Sequence, residues 1–344
     1  MDRKALVYKG CPPDHCCCDC TLRILPDGEF AVFFMTGGPR EPDINNHIAM
    51  CRSNEPGRAW SRPPEDVLRF DDRACLLSEV YVDGERIVVH VTTHDGDFGR
   101  WRNFTIESRD NGKEWSELEP FTAMPRRAFI RNRYVASWGD WYLPYQSYDT
   151  VQEWMVAPHA DGSFREPVNG VLFSSDEGDS WEVSEGISGA NGWAENNVVE
   201  LSDGLMAMLI RSDGAGCLLR SDSRDRGRSW SDPRPTDIPN AGSKARLHRL
   251  EDGRILLVHN PNPETSHPNS RPQAACQRNP LSIWMSDDDM DSWSYRRDLT
   301  DFPGMLAYPD GVVDEENGML HIAFDYNRHD VVYWGATLPP RPGR

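Results

Sequence analysis

The sequence lacks long apolar segments and low-complexity tracts, and it has few basic residues for its size. Its longest clean apolar run, about Gly204 to Ile210, is far short of the roughly 20 apolar residues of a membrane-spanning helix. Lys and Arg number 37 against 55 Asp and Glu, a formal net charge of −18. Because binding to a phosphate backbone requires clustered cations, we expect neither a membrane nor a nucleic acid as partner.

An export signal and a disulfide framework are also missing. The N-terminus, Met1 to Tyr8, lacks the apolar stretch of about 7 to 15 residues that a signal peptide needs. Nine cysteines, an odd number with five between Cys11 and Cys20, are unlike a secreted disulfide scaffold. These features favour a cytoplasmic location.

The cysteine-rich segment is ambiguous. Cys17-x-x-Cys20 is half of a zinc-type spacing, but no second half is present. In a regular strand, Cys16, Cys18 and Cys20 would share one face, with Cys17 and Asp19 on the other. We therefore predict small buried cysteines with no metal and no cofactor, while a metal or redox role remains an alternative.

A short repeat organises the chain. The pattern Ser-x-Asp-x-Gly-x-x-Trp occurs in full three times, ending at Trp115, Trp181 and Trp230, and in degenerate form twice, ending at Trp60 and Trp293. Successive tryptophans lie 49 to 66 residues apart. Ser and Asp oxygens accept backbone N–H bonds in a turn and Gly allows a positive φ, so each copy predicts a hairpin turn after a short strand.

A second kind of turn completes each unit. Asp-Gly dipeptides, as in Pro26-Asp27-Gly28 and Ser202-Asp203-Gly204, precede the repeats and predict two further strands. Small antiparallel sheets at this spacing indicate an all-β fold, a six-bladed β-propeller forming one domain over residues 1–344. The sixth blade would combine C-terminal strands with the N-terminal strand Ala5 to Lys9, which closes the fold and protects its edges.

These repeats resemble the Asp boxes, or BNR repeats, of the sialidase (neuraminidase) superfamily, whose members are six-bladed propellers. The resemblance implies an acid/base Asp, a Tyr nucleophile paired with a Glu, and three Arg that bind the substrate carboxylate. The matching positions are Asp43 for the acid/base, Glu195 and Tyr308 for the pair, and Arg211 and Arg278 for two of the arginines. Asp boxes themselves are expected to be structural.

One family position differs. Counting back from Pro26-Asp27-Gly28 places Cys18 where the first-strand Arg of the family belongs, and Arg23 lies in another register. An Arg–carboxylate hydrogen bond contributes about 1.5 to 3 kcal/mol, so its loss predicts weak activity on ordinary sialic acid. Further substrate-binding candidates stand at presumed strand ends or in the Asp43 loop: Arg40, His47, Glu79 and Arg131.

The sequence therefore predicts an exo-acting glycoside hydrolase of sialidase type. It would remove a terminal, acidic sugar from an oligosaccharide or glycoside with retention of configuration. A polysaccharide lyase acting on a uronic-acid glycan is one alternative, because a Tyr can also remove the proton beside a uronate carboxylate. A glycan-binding propeller without chemistry is the other.

Overall fold

The computed structural model describes residues 2–125, 127–148, 167–263 and 278–340. The described residues form 25 β-strands, in six antiparallel sheets. They contain no helix, and none of them therefore belongs to a helix that could cross a membrane. The chain separates into two compact units, Met1–Thr122 with Leu306–Arg344, and Ala123–Met305.

The first unit contains three four-stranded sheets. The first sheet comprises β2 (Cys17–Ile24), β3 (Phe30–Thr36), β4 (His47–Ser53) and β5 (Glu65–Leu68). The second comprises β6 (Ala74–Asp83), β7 (Arg86–His94), β8 (Arg102–Ser108) and β9 (Glu119–Pro120). The third comprises β1 (Arg3–Lys9), β25 (Asp330–Thr337), β24 (Met319–Tyr326) and β23 (Leu306–Asp314). The N-terminal strand thus pairs with the C-terminal one, as predicted.

The second unit also contains three sheets. One comprises β10 (Ala128–Ile130), β11 (Tyr134–Val135), β12 (Trp141–Ser147), β13 (Val168–Ser174) and β14 (Glu182–Val183). The next comprises β15 (Asn196–Glu200), β16 (Met206–Ile210), β17 (Cys217–Ser223) and β18 (Arg234–Pro239). The last comprises β19 (Arg246–Arg249), β20 (Ile255–His259), β21 (Ser282–Ser286) and β22 (Tyr295–Asp298).

Burial changes across each sheet. The inner strands are mostly apolar and buried, as in β3, β12 and β16, whereas the last strands β9 and β14 are fully exposed. The cores lie between neighbouring sheets of the same unit, where both faces are lined with Val, Ile, Leu and aromatic side chains. Face-to-face burial of this kind stabilises sheets that would otherwise expose an apolar face.

The Asp boxes join the third and fourth strands of five sheets. In each full box the Ser hydroxyl donates to the Asp carboxylate and accepts the N–H of the Gly, as at Ser223, Asp225 and Gly227, with both distances 2.8 Å. The degenerate box at Ser286 keeps this pattern, with Met290 adopting the positive φ of 69° in place of Gly. These contacts give the boxes the structural role expected from the sequence.

Two of the β-bulges in the first unit have an unusual backbone. Pairing shifts between Cys18 and Thr21 on β2, and between Ala307 and Asp310 on β23. Each bulge contains a non-glycine residue with positive φ, Asp19 at 53° and Tyr308 at 56°. Bulges redirect side chains and are frequent next to active sites.

Candidate functional site

The predicted site residues are distributed over both units. The first unit contains Asp43, Tyr308, Arg40, His47 and Glu79, and the second contains Glu195, Arg211, Arg131 and Arg278.

Tyr308 lies in a strained segment of β23. It is buried, with 7% of its surface exposed, and its positive φ is unusual for a bulky side chain. The sequence predicts a strand that begins only at Gly311, whereas β23 begins at Leu306 and includes Tyr308. Strained backbone of this kind is concentrated at active sites and ligand-binding positions.

An arginine that the sequence analysis missed contacts this tyrosine. The Arg328 guanidinium carbon lies 5.5 Å from the centre of the Tyr308 ring. The same guanidinium forms an ion pair with Glu41. Arg328 follows β24 in the hairpin to β25, outside the repeats and motifs described above, so the sequence offered no signal for it.

Arg23 and Glu79 belong to a buried ion-pair triad. Arg23 donates from Nη2 to Glu79 and from Nη1 to Asp310, both at 2.5 Å, and from Nε to the carbonyl of Val80 at 2.6 Å. Burial alone would lower the pKa of Arg23, but the charges of Asp310 and Glu79 outweigh it and raise that pKa. The triad therefore links β2, β6 and β23, and Arg23 is the shared counter-ion of both carboxylates.

Asp43 is half-buried in a well-defined loop between β3 and β4. Its Oδ1 accepts the backbone N–H of Asn45 at 2.9 Å and the side-chain amide of Asn45 at 2.8 Å. Its own N–H donates to the Asn46 side chain at 2.8 Å. A Cβ at Gly38 would lie 2.6 Å from the Asp43 carboxyl carbon, so only glycine allows the loop this close approach.

Arg40 and His47 flank this loop. Arg40 is exposed, and its carbonyl accepts a bond from the Asn46 amide at 3.1 Å. His47 is buried, with Nδ1 2.9 Å from the Asn45 carbonyl and Nε2 3.4 Å from an oxygen of Asp66 on β5. Both histidine nitrogens thus contact protein groups that fix the loop. Their role in substrate binding stays a prediction.

The cysteine segment does not follow simple alternation, contrary to the sequence-based expectation. The bulge at Asp19 places Cys17 and Cys20 together in an apolar core cluster, and it directs the Cys18 thiol to Glu41 at 3.8 Å. Burial raises the pKa of both Cys17 and Cys18. Ligand atoms of Cys18, Asp19 and Glu41 lie within 4.8 Å of one another, a spacing that could hold a metal ion.

In the second unit, Arg211 and Glu195 are brought together at one end of a hairpin. The Arg211 Nη1 donates to both carboxylate oxygens of Glu195 at 3.0 and 2.9 Å, and Nε donates to Asp213 at 2.8 Å. All three side chains are almost completely buried. Asp213 was not predicted, although Arg211-x-Asp213 is the spacing that puts two side chains on one face of an extended segment.

Tyr148 and Arg131 lie in the same unit. The Tyr148 hydroxyl donates to the carbonyl of Trp193 at 2.5 Å. Burial and, second, the negative charge of Glu195 raise the pKa of Tyr148 far above its usual value. Arg131 is buried, with its guanidinium carbon 5.3 Å from the centre of the Phe129 ring. Tyr148 was not singled out in the sequence because it follows β12 with no distinguishing motif.

Arg278 is buried at the start of the segment that leads into β21. Its Nη2 donates to the carbonyl of Gly242 at 2.9 Å, and its own carbonyl accepts the Asn260 amide at 2.9 Å. Residues 264–277, including Cys276, lie outside the described residues.

Comparison with known proteins identifies the family. The model of the BNR repeat-like domain matches residues 28–322. The chain belongs to this family. No curated protein matches the sequence.

Solved structures show the same fold at low sequence identity. A Hadza microbial sialidase, Hz136, is 17% identical with a TM-score of 0.74, over 94% of this chain and 66% of its own. A Trypanosoma rangeli sialidase bound to the inhibitor DANA is 14% identical with a TM-score of 0.70, over 97% of this chain and 59% of its own. A Dyadobacter fermentans protein of unknown function is 15% identical with a TM-score of 0.72, over 97% and 98% of the two chains.

The fold predicted from the sequence is confirmed. The chain is an all-β, six-bladed propeller with BNR repeats, similar in fold to structurally characterised sialidases. It spans about two thirds or less of the length of those two sialidases.

Proposed function

We propose that this BNR-repeat protein is a glycan-active enzyme of the sialidase superfamily, a retaining exo-glycosidase that removes a terminal acidic sugar. In this mechanism the Tyr308 oxygen attacks the anomeric carbon while Asp43 protonates the departing glycosidic oxygen. The family pattern assigns acceptance of the tyrosine proton to Glu195. Water, deprotonated by Asp43, then displaces Tyr308 from the sugar, so the configuration is inverted twice and retained.

The observation that carries the proposal is the conformation of Tyr308. A buried tyrosine with a positive φ at a β-bulge has an unfavourable backbone, and a guanidinium lies over its ring. A tyrosine with only a packing role would not require this conformation, because a regular strand would bury it equally well. A phenol oxygen suits a sugar whose anomeric carbon bears a carboxylate, since it approaches without the charge repulsion that an Asp or Glu would suffer.

The cationic groups support an acidic sugar. Arg211 and Arg278 are buried arginines that adjoin different sheets of the second unit, Arg211 directly after β16 and Arg278 before β21. Buried guanidinium groups bind carboxylates strongly. Arg40, His47, Glu79 and Arg131 complete the proposed substrate-binding set. The ion pairs of Arg211 hold its guanidinium plane in one orientation. Less conformational entropy is therefore lost when a ligand binds.

The test is product analysis with wild type, Tyr308→Phe and the control Tyr295→Phe, which alters a half-exposed tyrosine on the outer strand β22. Aryl glycosides of sialic acid and of uronic acids serve as substrates. We expect wild type and Tyr295→Phe to release the sugar with retained configuration, and Tyr308→Phe to lose turnover by at least 1000-fold, roughly what loss of a catalytic nucleophile costs, while still binding ligand.

Two results would contradict the proposal. New ultraviolet absorbance from an unsaturated uronide would identify a lyase, and full activity of Tyr308→Phe would exclude the tyrosine as nucleophile. Saturable glycan binding with no product from any substrate would favour a binding propeller.

A further inference from the structure

Arg328 occupies a backbone position that disfavours arginine. Asn327 and Arg328 have φ values of 57° and 58°, and the N–H of His329 donates to the carbonyl of Tyr326 at 3.2 Å. These residues are the central pair of a β-turn inside the three-residue loop between the paired residues Tyr326 and Asp330. A turn with positive φ at both central positions favours Gly, Asn or Asp. Other strand-connecting turns of the chain do place Gly at a positive φ, for example Gly28 and Gly204. Contacts of the Arg328 side chain must therefore compensate for the unfavourable backbone conformation.

The turn directs this side chain into the first unit. The guanidinium contacts three groups from three segments: it lies over the Tyr308 ring, pairs with Glu41, and hydrogen-bonds to the side chain of Cys18. Only 16% of the Arg328 side chain is exposed. Burial lowers the pKa of Arg328, but Cys18, Cys16 and Asp19 outweigh that effect and raise it, so the group is cationic.

Cys18 is also the position at which the first strand lacks an arginine. Its small side chain is completely buried and leaves room for a guanidinium that enters from elsewhere. Arg23, on the same strand, is committed to Glu79 and Asp310. A guanidinium has five N–H donors, so the ion pair with Glu41 holds Arg328 in place and still allows it to bind an anion beside Tyr308.

We propose that Arg328 binds the substrate carboxylate, and that it does so from the β24–β25 hairpin at the place where the first strand carries Cys18. The inference rests on the proposed function, since it assumes a sugar with a carboxylate at the anomeric carbon attacked by Tyr308. It revises the expectation that Cys18 makes sialic acid a poor substrate. Arg328 is thus a specificity-determining residue that separates acidic from neutral sugars.

The experiment compares two probes, DANA and its uncharged methyl ester, by calorimetric binding to four proteins. These are wild type, Arg328→Gln, Arg328→Lys and the control Arg226→Gln. Arg226 matches Arg328 in having a positive φ of 58° and a guanidinium 5.1 Å from an aromatic ring, that of Trp138, but it lies at an Asp-box turn. Thermal unfolding of each variant establishes that it is folded.

We expect Arg328→Gln to weaken DANA binding at least tenfold and leave the binding of the methyl ester within twofold of wild type, because only the acid uses a charged hydrogen bond. Arg328→Lys should retain part of the preference for the acid, and Arg226→Gln should retain all of it. If Arg328→Gln does not fold, the same comparison with Arg328→Lys decides the question.

Equal weakening for acid and ester, unchanged DANA affinity, or no DANA binding by wild type would overturn the inference. Zinc binding that competes with DANA and is lost in Cys18→Ala would also overturn it, because the cluster would then be a metal site. Turnover is a separate readout. Arg328-dependent binding of DANA without turnover would leave the inference standing and remove the proposed hydrolysis.

Discussion

The guanidinium of Arg211 donates from one nitrogen to both carboxylate oxygens of Glu195, at 3.0 and 2.9 Å, where neither side chain is accessible to solvent by more than 2%. Its Nε and Nη2 donate to the two oxygens of Asp213. One buried cation therefore serves as the counter-ion of two buried carboxylates. Glu195, the proposed proton acceptor of the reaction, is therefore part of an ion-pair network that also stabilises its unit.

Replacing Arg211 by Met should destabilise the protein strongly. Glu195 and Asp213 would remain buried without a counter-ion, and breaking a buried pair in this way costs about 3 to 5 kcal/mol. Urea unfolding measures the effect. Arg220→Met is the matched control, since Arg220 pairs with Asp222 in a more exposed setting and should cost at most about 1 kcal/mol. Similar losses in the two variants would show that burial of the Arg211 network is unimportant.

The Asp boxes allow a graded test of stability. Trp230 is buried, with its indole N–H donating to the carbonyl of Gly227 at 3.0 Å, whereas Trp181 is only half-buried. Trp230→Ala should lower the free energy of unfolding by about 3 to 5 kcal/mol, and Trp181→Ala by clearly less. Denaturant unfolding of both variants gives the comparison. A larger loss at Trp181 would contradict the packing described for the two boxes.

The fold could be predicted because short, repeated turn motifs mark its strands. The Ser-x-Asp-x-Gly-x-x-Trp turns recur at blade spacing. Strands predicted just before them, Trp101 to Glu107 and Leu281 to Met285, agree with β8 and β21 within one residue at each end. Pairing of β1 with β25 followed from the need to cover two sheet edges.

The site could be predicted only in part, because its geometry depends on departures from periodicity. The alternation of side chains between the two faces of a regular strand cannot reveal that Asp19 adopts a positive φ and turns the Cys18 thiol towards Glu41. Likewise, the place of Glu200 next to the turn Ser202-Asp203-Gly204 predicts a side chain that faces solvent, but its carboxylate accepts the N–H and hydroxyl of Ser137, both at 2.7 Å. Arg328 reaches Tyr308 from the hairpin after the neighbouring strand β24, where the sequence gives no sign of the positive φ values of Asn327 and Arg328.

The cysteines should differ sharply in reactivity. Cys11 is exposed, whereas Cys51 and Cys75 are buried, and burial raises the pKa of each of these two thiols to about 12. Because the thiolate is the reactive form, a thiol reagent at pH 8 should modify Cys11 rapidly and the other two only after unfolding. Peptide mass spectrometry with and without guanidinium measures this. Rapid labelling of Cys51 or Cys75 in the native protein would contradict their burial.

His259 should make stability depend on pH. It is fully buried with its ring 4.7 Å from that of Trp284, and burial lowers its pKa to about 3. In the unfolded chain the pKa is about 6.5, so between these values the unfolded state binds a proton that the folded state does not. Stability is therefore lost as pH falls from about 6.5 towards about 3.

His259→Gln should reduce the loss between pH 7 and pH 4 by about 2 to 3 kcal/mol, as measured by urea unfolding at both pH values. His15→Gln, a change at an exposed histidine, serves as the control and should keep the wild-type loss. The same pH dependence in wild type and His259→Gln would mean that another group causes it, and His94, whose pKa burial lowers to about 4, would be the next residue to replace.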